Sequence, residues 1–146
     1  MADHTRQSIV IDAKPEDVMA VIADLDRYPD WVDAAQSVEI LERDERGTPV
    51  RARFVLDAEL LKDTYELRYT WARDGRSVRW TLLESTIMRS QEGAYILEPN
   101  PEGTKATYEL SVDLRIPMLG LFRRKAERAI IDTALKELKK RVESLV

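Results

Sequence analysis

Apolar residues recur every three or four positions from Leu119 to Leu145, through Phe122, Ala126, Ile130, Ala134, Leu138 and Val142, with Pro117 just ahead of them. Such a stripe predicts one helix lying on a core. A helix of about 28 residues, rising 1.5 Å per residue, is a rod about 40 Å long. The chain has 146 residues, a length for which the radius of gyration is only about 15 Å. The helix must therefore cross the whole molecule, and the rest of the chain must be arranged around it.

Most of that remainder reads as strands. Ser8 to Ala13, with Ile9 and Ile11 on one face, suits a short first strand. Pro15, Glu16 and Asp17 then open a helix, since proline fits the first turn and carboxylates favour the positive end of the dipole. Val18, Val21, Ile22 and Leu25 follow at helical spacing, and a second short helical or turn segment carries Tyr28, Pro29, Trp31 and Val32. From Val38 the period changes to two. Val50, Ala52, Phe54, Leu56, Ala58 and Leu60 share one face of a strand whose other face carries Arg51, Arg53, Asp57 and Glu59. Lys62-Asp63 is expected to turn the chain. Beyond it Tyr65, Leu67, Tyr69 and Trp71 alternate with polar residues, and Asp74-Gly75 signals a tight hairpin with positive φ at both positions. Val78, Trp80 and Leu82 continue the inward face. Strands over about Gln91–Leu97 and Lys105–Leu114 complete the set, and the short connections make neighbours antiparallel.

Composition narrows the chemistry. The chain has no cysteine, which removes disulfides, thiolate metal sites and cysteine nucleophiles. Its one histidine, His4, leaves no material for a serine–histidine–acid triad or a multi-histidine metal site. No phosphate-loop or dinucleotide fingerprint occurs, so neither a metal nor a nucleotide cofactor is expected. A net charge of −4 argues against general nucleic-acid binding, which needs a basic face. No apolar run is long enough to span a membrane, and the opening residues carry no signal-like stretch, so the expected address is the cytoplasm. No repeat or linker divides residues 1–146, which read as a single domain.

The order strand, two short helices, about six strands and a long terminal helix resembles the helix-grip fold of the START-like (SRPBCC, Bet v 1-like) superfamily. Three stretches carry the likeness. Tyr28-Pro29-Asp30-Trp31 resembles a Tyr-Pro-x-Trp signature, and Gly93-Ala94-Tyr95 with Pro99 and Gly103-Thr104 resembles a Gly-x-aromatic…Pro…Gly-Thr hairpin. The tail from Ile116 to Val142 is similar to bacterial polyketide cyclase/dehydrase-like and coenzyme Q-binding members. The resemblance implies an α+β domain in which a curved antiparallel sheet of about seven strands grips the terminal helix around a cavity. It also implies a hydrophobic ligand there: a lipid, an isoprenoid quinone or a polyketide. One fold hosts carriers, aromatase/cyclases and a ribosome-association factor, so the role has to come from the site.

The expected ligand-binding set is Trp31, Phe54, Leu56, Tyr69, Trp71, Trp80, Leu82, Tyr95, Tyr108, Ile130 and Ala134. Core packing accounts for each aromatic singly. As a group, with Tyr65, they combine broad apolar faces with polar tips that seek partners when buried. Trp31 borders the cavity mouth in the resembled family. Glu84 is in phase with Trp80 and Leu82, so alternation points it inward, where an isolated carboxyl would be driven toward its neutral form and could act as acid or base. Against that stands a strand end in water. Arg51, Arg53, Arg68 and Arg79 fall on outward faces, and the balance favours binding over catalysis by an aromatase/cyclase or dehydrase. A further reading uses charge: residues 121–146 carry eight Lys/Arg against four Asp/Glu, a basic face that could dock on an anionic membrane, an acidic carrier protein or a ribosome.

Overall fold

A computed structural model describes residues 4–58, 61–115 and 120–146. Strand β1 (Thr5–Ile11) leads into helix α1 (Pro15–Ala23), a single 3-10 turn (Leu25–Arg27) and helix α2 (Tyr28–Trp31). Six strands follow: β2 (Ala35–Arg43), β3 (Pro49–Ala58), β4 (Leu61–Trp71), β5 (Ser77–Ser85), β6 (Met88–Asn100) and β7 (Gly103–Leu114). Helix α3 (Gly120–Leu145) closes the chain. The strands form one antiparallel sheet in the order β1-β7-β6-β5-β4-β3-β2, so only β1 leaves sequence order, by pairing with β7. The expected α+β helix-grip architecture is what the chain adopts.

Local chemistry explains the joints. Pro15 occupies the first turn of α1, with Glu16 and Asp17 beside it, and Val18 and Ile22 are buried beneath. The Tyr28 hydroxyl donates to the Ile22 carbonyl and folds α2 back onto α1. Gly103 has φ of +131°, and a Cβ there would collide with the Ile11 carbonyl oxygen, so only glycine lets the β6–β7 hairpin approach β1 this closely. Thr104 completes that joint by donating to the Ala13 carbonyl at 2.7 Å.

Helix α3 packs mainly on β1 and β7 and, at its far end, on α1 and α2. Glu127 is fully buried: it accepts from the Thr5 hydroxyl at 2.6 Å and from the Val112 N–H at 2.7 Å. That N–H lies two residues past the Thr5–Leu110 pair that opens the β1–β7 ladder, and among the described residues its acceptor comes from α3. Further along, Glu137 accepts from the Asp33 N–H at 3.0 Å, and Glu143 from the Asp12 N–H at 2.9 Å. Among the described residues no helix is long and apolar enough to cross a membrane.

Four expectations need correction. The turn placed at Lys62-Asp63 is strand: these residues pair with Asp57 and Leu56. The Asp74-Gly75 hairpin has positive φ at Gly75 alone, because the loop from Ala72 to Ser77 is longer than a two-residue turn. Glu84 is exposed, since β5 carries one extra residue, Leu83, between the pairs Leu67–Leu82 and Glu66–Glu84. That bulge reverses the alternation and sends Glu84 to the convex side.

The fourth correction concerns the face of α3. Ile130 is 41% exposed and Ala126 is exposed, whereas Glu127, Ile131, Leu135, Leu138 and Val142 are buried. A stripe built from successive four-residue steps advances about 40° per step beyond a full turn, so it winds off any fixed face within a few turns. Leu145 is exposed at the end, and Ala134 lies half-buried at the edge of the true face. Leu119 and Leu60 of the expected stripes lie outside the described residues, as do the side chains of Phe122 and Ala58.

Candidate functional site

The concave side of the sheet carries a connected series of nine aromatic rings. It begins with Trp31 edge-on to Tyr28 at a centroid distance of 5.1 Å, and Tyr28 meets Phe54 at 6.3 Å. Phe54 stacks on Tyr65 at 5.3 Å and touches Tyr69, which stacks on Trp71 at 5.6 Å. From Tyr69 the series continues through Trp80 to Tyr95 and Tyr108, the last two in a T-shaped pair at 4.7 Å. Alternation along β3, β4 and β7, in β5 ahead of its bulge and in β6 beyond Ser90 aims the strand rings inward: Phe54 faces Tyr65, Tyr69 faces Trp80 and Tyr95 faces Tyr108 in the ladders.

Of the expected ligand-binding residues, Phe54, Tyr69, Trp80, Tyr95 and Tyr108 are buried in this core, and Trp31, Trp71, Leu82 and Ala134 are half-buried against it. Leu56 is half-buried but lies apart from the rings, beside Asp63 and Thr86 in a cleft of about 250 Å³. Ile130 is on an exposed flank of α3. The structure thus brings nine of the eleven together. A second cleft, of about 290 Å³, opens between α1, Trp31 and the end of α3 around Arg141 and Val142. Both clefts lie at the margins of the ring series, so the rings and their polar tips define the candidate site.

Those tips have distinct environments. The Trp71 N–H donates to the Pro49 carbonyl at 2.6 Å, and the Trp80 N–H to Gln91 Oε1 at 2.9 Å. Gln91 in turn donates to Met88 Sδ at 3.3 Å, which fixes its amide. Trp31 Nε1 is shielded from solvent with no acceptor. The phenols of Tyr65, Tyr69, Tyr95 and Tyr108 make no hydrogen bond to another described residue. Burial pushes all four above the ordinary phenol range, and Tyr28 with them. Mutual repulsion adds to the shift: Tyr69 feels Tyr28, Tyr65, Tyr108 and Tyr95, and Tyr65 feels Asp63. The rings of Tyr69, Tyr95 and Tyr108 all touch Trp80, at centroid distances of 6.0, 5.6 and 5.5 Å, so these phenols belong to one packed group.

Sequence patterns missed three contributors. Gly93 lies directly across from Trp80, and a Cβ at Gly93 would sit inside the indole ring, so the missing side chain is what lets Trp80 lie flat on β6. Counting register outward from the Asn100–Gly103 turn and then across to β5 would have found that pair. Glu137, half-buried on α3, is close enough to Tyr95 to raise its phenol further. Desolvation also raises the Glu137 carboxyl, against the opposing pull of its Asp33 N–H bond. Nothing in the run Lys136-Glu137-Leu138 distinguishes it. Tyr28 is the third; its place beside Trp31 pointed to the mouth, not to the ring series.

The outward arginines do as parity requires. Arg51 and Arg53 close on Glu66 at 3.4 and 3.0 Å, and Arg6 and Arg79 flank Glu109, both on the convex side. Among the described residues, no group of three or more His, Cys, Asp or Glu is arranged to hold a metal.

The same fold recurs in solved structures. A START superfamily protein from Mycobacterium smegmatis matches with a TM-score of 0.92 at 20% identity, covering 99% of both chains. A protein from Thermus thermophilus matches at 0.81 and 25% identity over 97% of this chain and 98% of its own. The ZhuI aromatase/cyclase from Streptomyces sp. R1128 matches at 0.79 and 17% identity over 98% and 94%. No curated protein gives a match. The family described as polyketide cyclase/dehydrase and lipid transport matches residues 11–139, which is most of the chain. With that span, the chain belongs to the polyketide cyclase/dehydrase and lipid transport family, and it has the fold of the START superfamily protein.

Proposed function

We propose that the chain binds and carries a hydrophobic small molecule against the ring-lined concave face, between the sheet and α3. The observation that supports this reading is the connected series of nine aromatic rings, five of them tyrosines, packed on one core. Helix α3 packs chiefly over β1 and β7, while Tyr65, Trp71 and Leu82 on β4 and β5 remain half-buried. A flat or isoprenoid ligand covering those rings would gain about 25 cal/mol for each Å² of apolar surface removed from water, so burying about 300 Å² gives about 7 kcal/mol before ordering costs. Phenols with no hydrogen-bond partner among the described residues would then fix its orientation through one or two oxygens.

The family includes enzymes, and ZhuI is an aromatase/cyclase. A second reading, cyclase or dehydrase chemistry, draws support from Glu137, a carboxyl raised by desolvation beside the Tyr95 phenol. It would make Glu137 the proton acceptor beside a ligand carbonyl, with phenols donating to the developing oxyanion.

Titration of the purified protein with a fatty acid, a quinone and a polycyclic phenol, followed by tryptophan emission, separates these readings. Carriage predicts saturable quenching by at least one class, weakened at least tenfold in a Tyr69→Leu/Tyr95→Leu variant, with the ligand recovered unchanged. Conversion of a bound poly-ketone that stops in Glu137→Gln would favour the enzyme. Quenching that never saturates, or that ignores the tyrosines, would remove the site.

A further inference from the structure

A guanidinium near the start of α3 lacks a partner. Arg123 Nε is shielded from solvent with no acceptor, and Arg123 forms no ion pair among the described residues. The next three residues, Arg124, Lys125 and Ala126, are exposed, whereas Arg123 is half-buried. A charged donor taken out of water without an acceptor costs stability, so the group calls for a partner from outside the chain.

Helix geometry gives the direction in which Arg123 points. At about 100° per residue it lies about 40° from Glu127 on one side and about 40° from Glu137 on the other. Glu127 is turned to β1 and β7, where it meets Thr5 and Val112. Glu137 is turned to the α2–β2 connection, where it meets Asp33, and it acts on the Tyr95 phenol. Between β7 and β2 in the sheet lie β6, β5, β4 and β3, which carry most of the rings. Arg123 therefore belongs to the flank of α3 that overlooks the concave face. Two residues beyond Val112, Leu114 pairs with Met88, whose N–H bonds to Ser85, the partner of Tyr65, so half-buried Tyr65 lies at the Arg123 end of the sheet. Tyr95 lies with Glu137, about 21 Å farther along the helix axis. Ile130 falls midway, 41% exposed, and the seven-residue spacing of Arg123, Ile130 and Glu137 keeps all three on one line to within about 40°.

We propose that Arg123 receives the anionic head of the ligand, a carboxylate or a phosphate, and that the apolar body lies along Ile130 toward Tyr95. The proposal rests on the carrier reading above and narrows its ligand to an elongated amphiphile with one acidic end. A guanidinium takes either head through two parallel hydrogen bonds. Charge fixes the orientation. Residues 120–128 carry four Lys/Arg against Glu127, a net +3, whereas residues 15–33, at the Glu137 end, carry six carboxylates against Arg27, a net −5. An acidic head placed beside Glu137 would be repelled, and a neutral ligand would leave the Arg123 donor unpaired.

Titration of the full chain with myristic acid, tetradecyl phosphate and methyl myristate, followed by tryptophan emission, tests this. At least one of the two acidic ligands should bind about 10- to 100-fold more tightly than the ester, the worth of hydrogen bonds to a charged group. The tighter of the two identifies the head. Arg123→Gln should lower that ligand to the affinity of the ester and leave the ester unchanged, while Arg123→Lys should keep part of the preference. An ester that binds as tightly as both acidic ligands overturns the proposal, as does a preference that survives in Arg123→Gln, and either result leaves the carrier reading standing. If Arg123→Gln fails to fold, the comparison of acid with ester in the parent chain decides alone. Binding of none of the three removes the carrier reading together with this one.

Discussion

Raising the pH above about 10 should unfold this protein through its tyrosines. All five tyrosines have phenols held above the usual range, first by desolvation and then, for most, by one another. Below the unfolded-chain pKa of about 10, both states keep every phenolic proton, and stability is unaffected by these groups. Above it the unfolded chain ionises while the folded one does not, so the folded state binds more protons and stability falls as pH rises. At about pH 11 each phenol costs about 1.4 kcal/mol, and five together about 7 kcal/mol, a large share of a typical domain's 5–15 kcal/mol. Absorbance at the phenolate band and far-ultraviolet circular dichroism, followed in one titration, are the assay. Phenolate should stay absent through about pH 10.5 and then appear together with loss of secondary structure, in one cooperative step. Three or more phenols ionising near pH 10, with the circular dichroism still native, would refute the burial of the phenols and the ligand site built on it.

Other consequences are local. Gly93→Ala forces a Cβ into the Trp80 indole and should cost about 1–3 kcal/mol by overpacking, read as a lower urea midpoint with an altered tryptophan emission maximum. Glu127→Ala strands the Val112 N–H beneath α3 and should cost about 2–3 kcal/mol, with faster amide exchange at the β1–β7 edge. Glu84→Gln, on the exposed side of the bulge, should leave both stability and ligand occupancy within about 0.5 kcal/mol of the parent. A larger change there would mean that Glu84 reaches the interior after all.

The architecture was legible because its signals are periodic. Alternation placed Phe54, Tyr69, Trp80, Tyr95 and Tyr108 on one face, and the ladders that pair them keep register across those positions. It failed at Glu84 because a single inserted residue, Leu83, has no signature in composition and yet inverts every side chain beyond it. It failed at Ile130 for a different reason: alanines at 126 and 134 look like core, but their four-residue spacing follows a spiral around the helix. Glu127 and Glu137 stayed invisible because a carboxylate's role depends on which backbone N–H arrives opposite it. Thr5 and Asp33 lie 122 and 104 residues from the glutamates they meet. The gathering of tyrosine rings from four elements, α2, β4, β6 and β7, has the same origin, since no local pattern brings Tyr28 and Tyr108 into one core.

The central claim, that the ring-lined face holds a ligand, is tested most directly by native mass spectrometry of freshly purified protein with organic extraction of whatever is released. A discrete adduct of a few hundred daltons is the predicted result, diminished in Trp80→Phe and in Tyr69→Leu/Tyr95→Leu, with the extract naming its chemical class. A bare polypeptide mass would contradict the account if it persisted after incubation with fatty acid, quinone and polycyclic phenol.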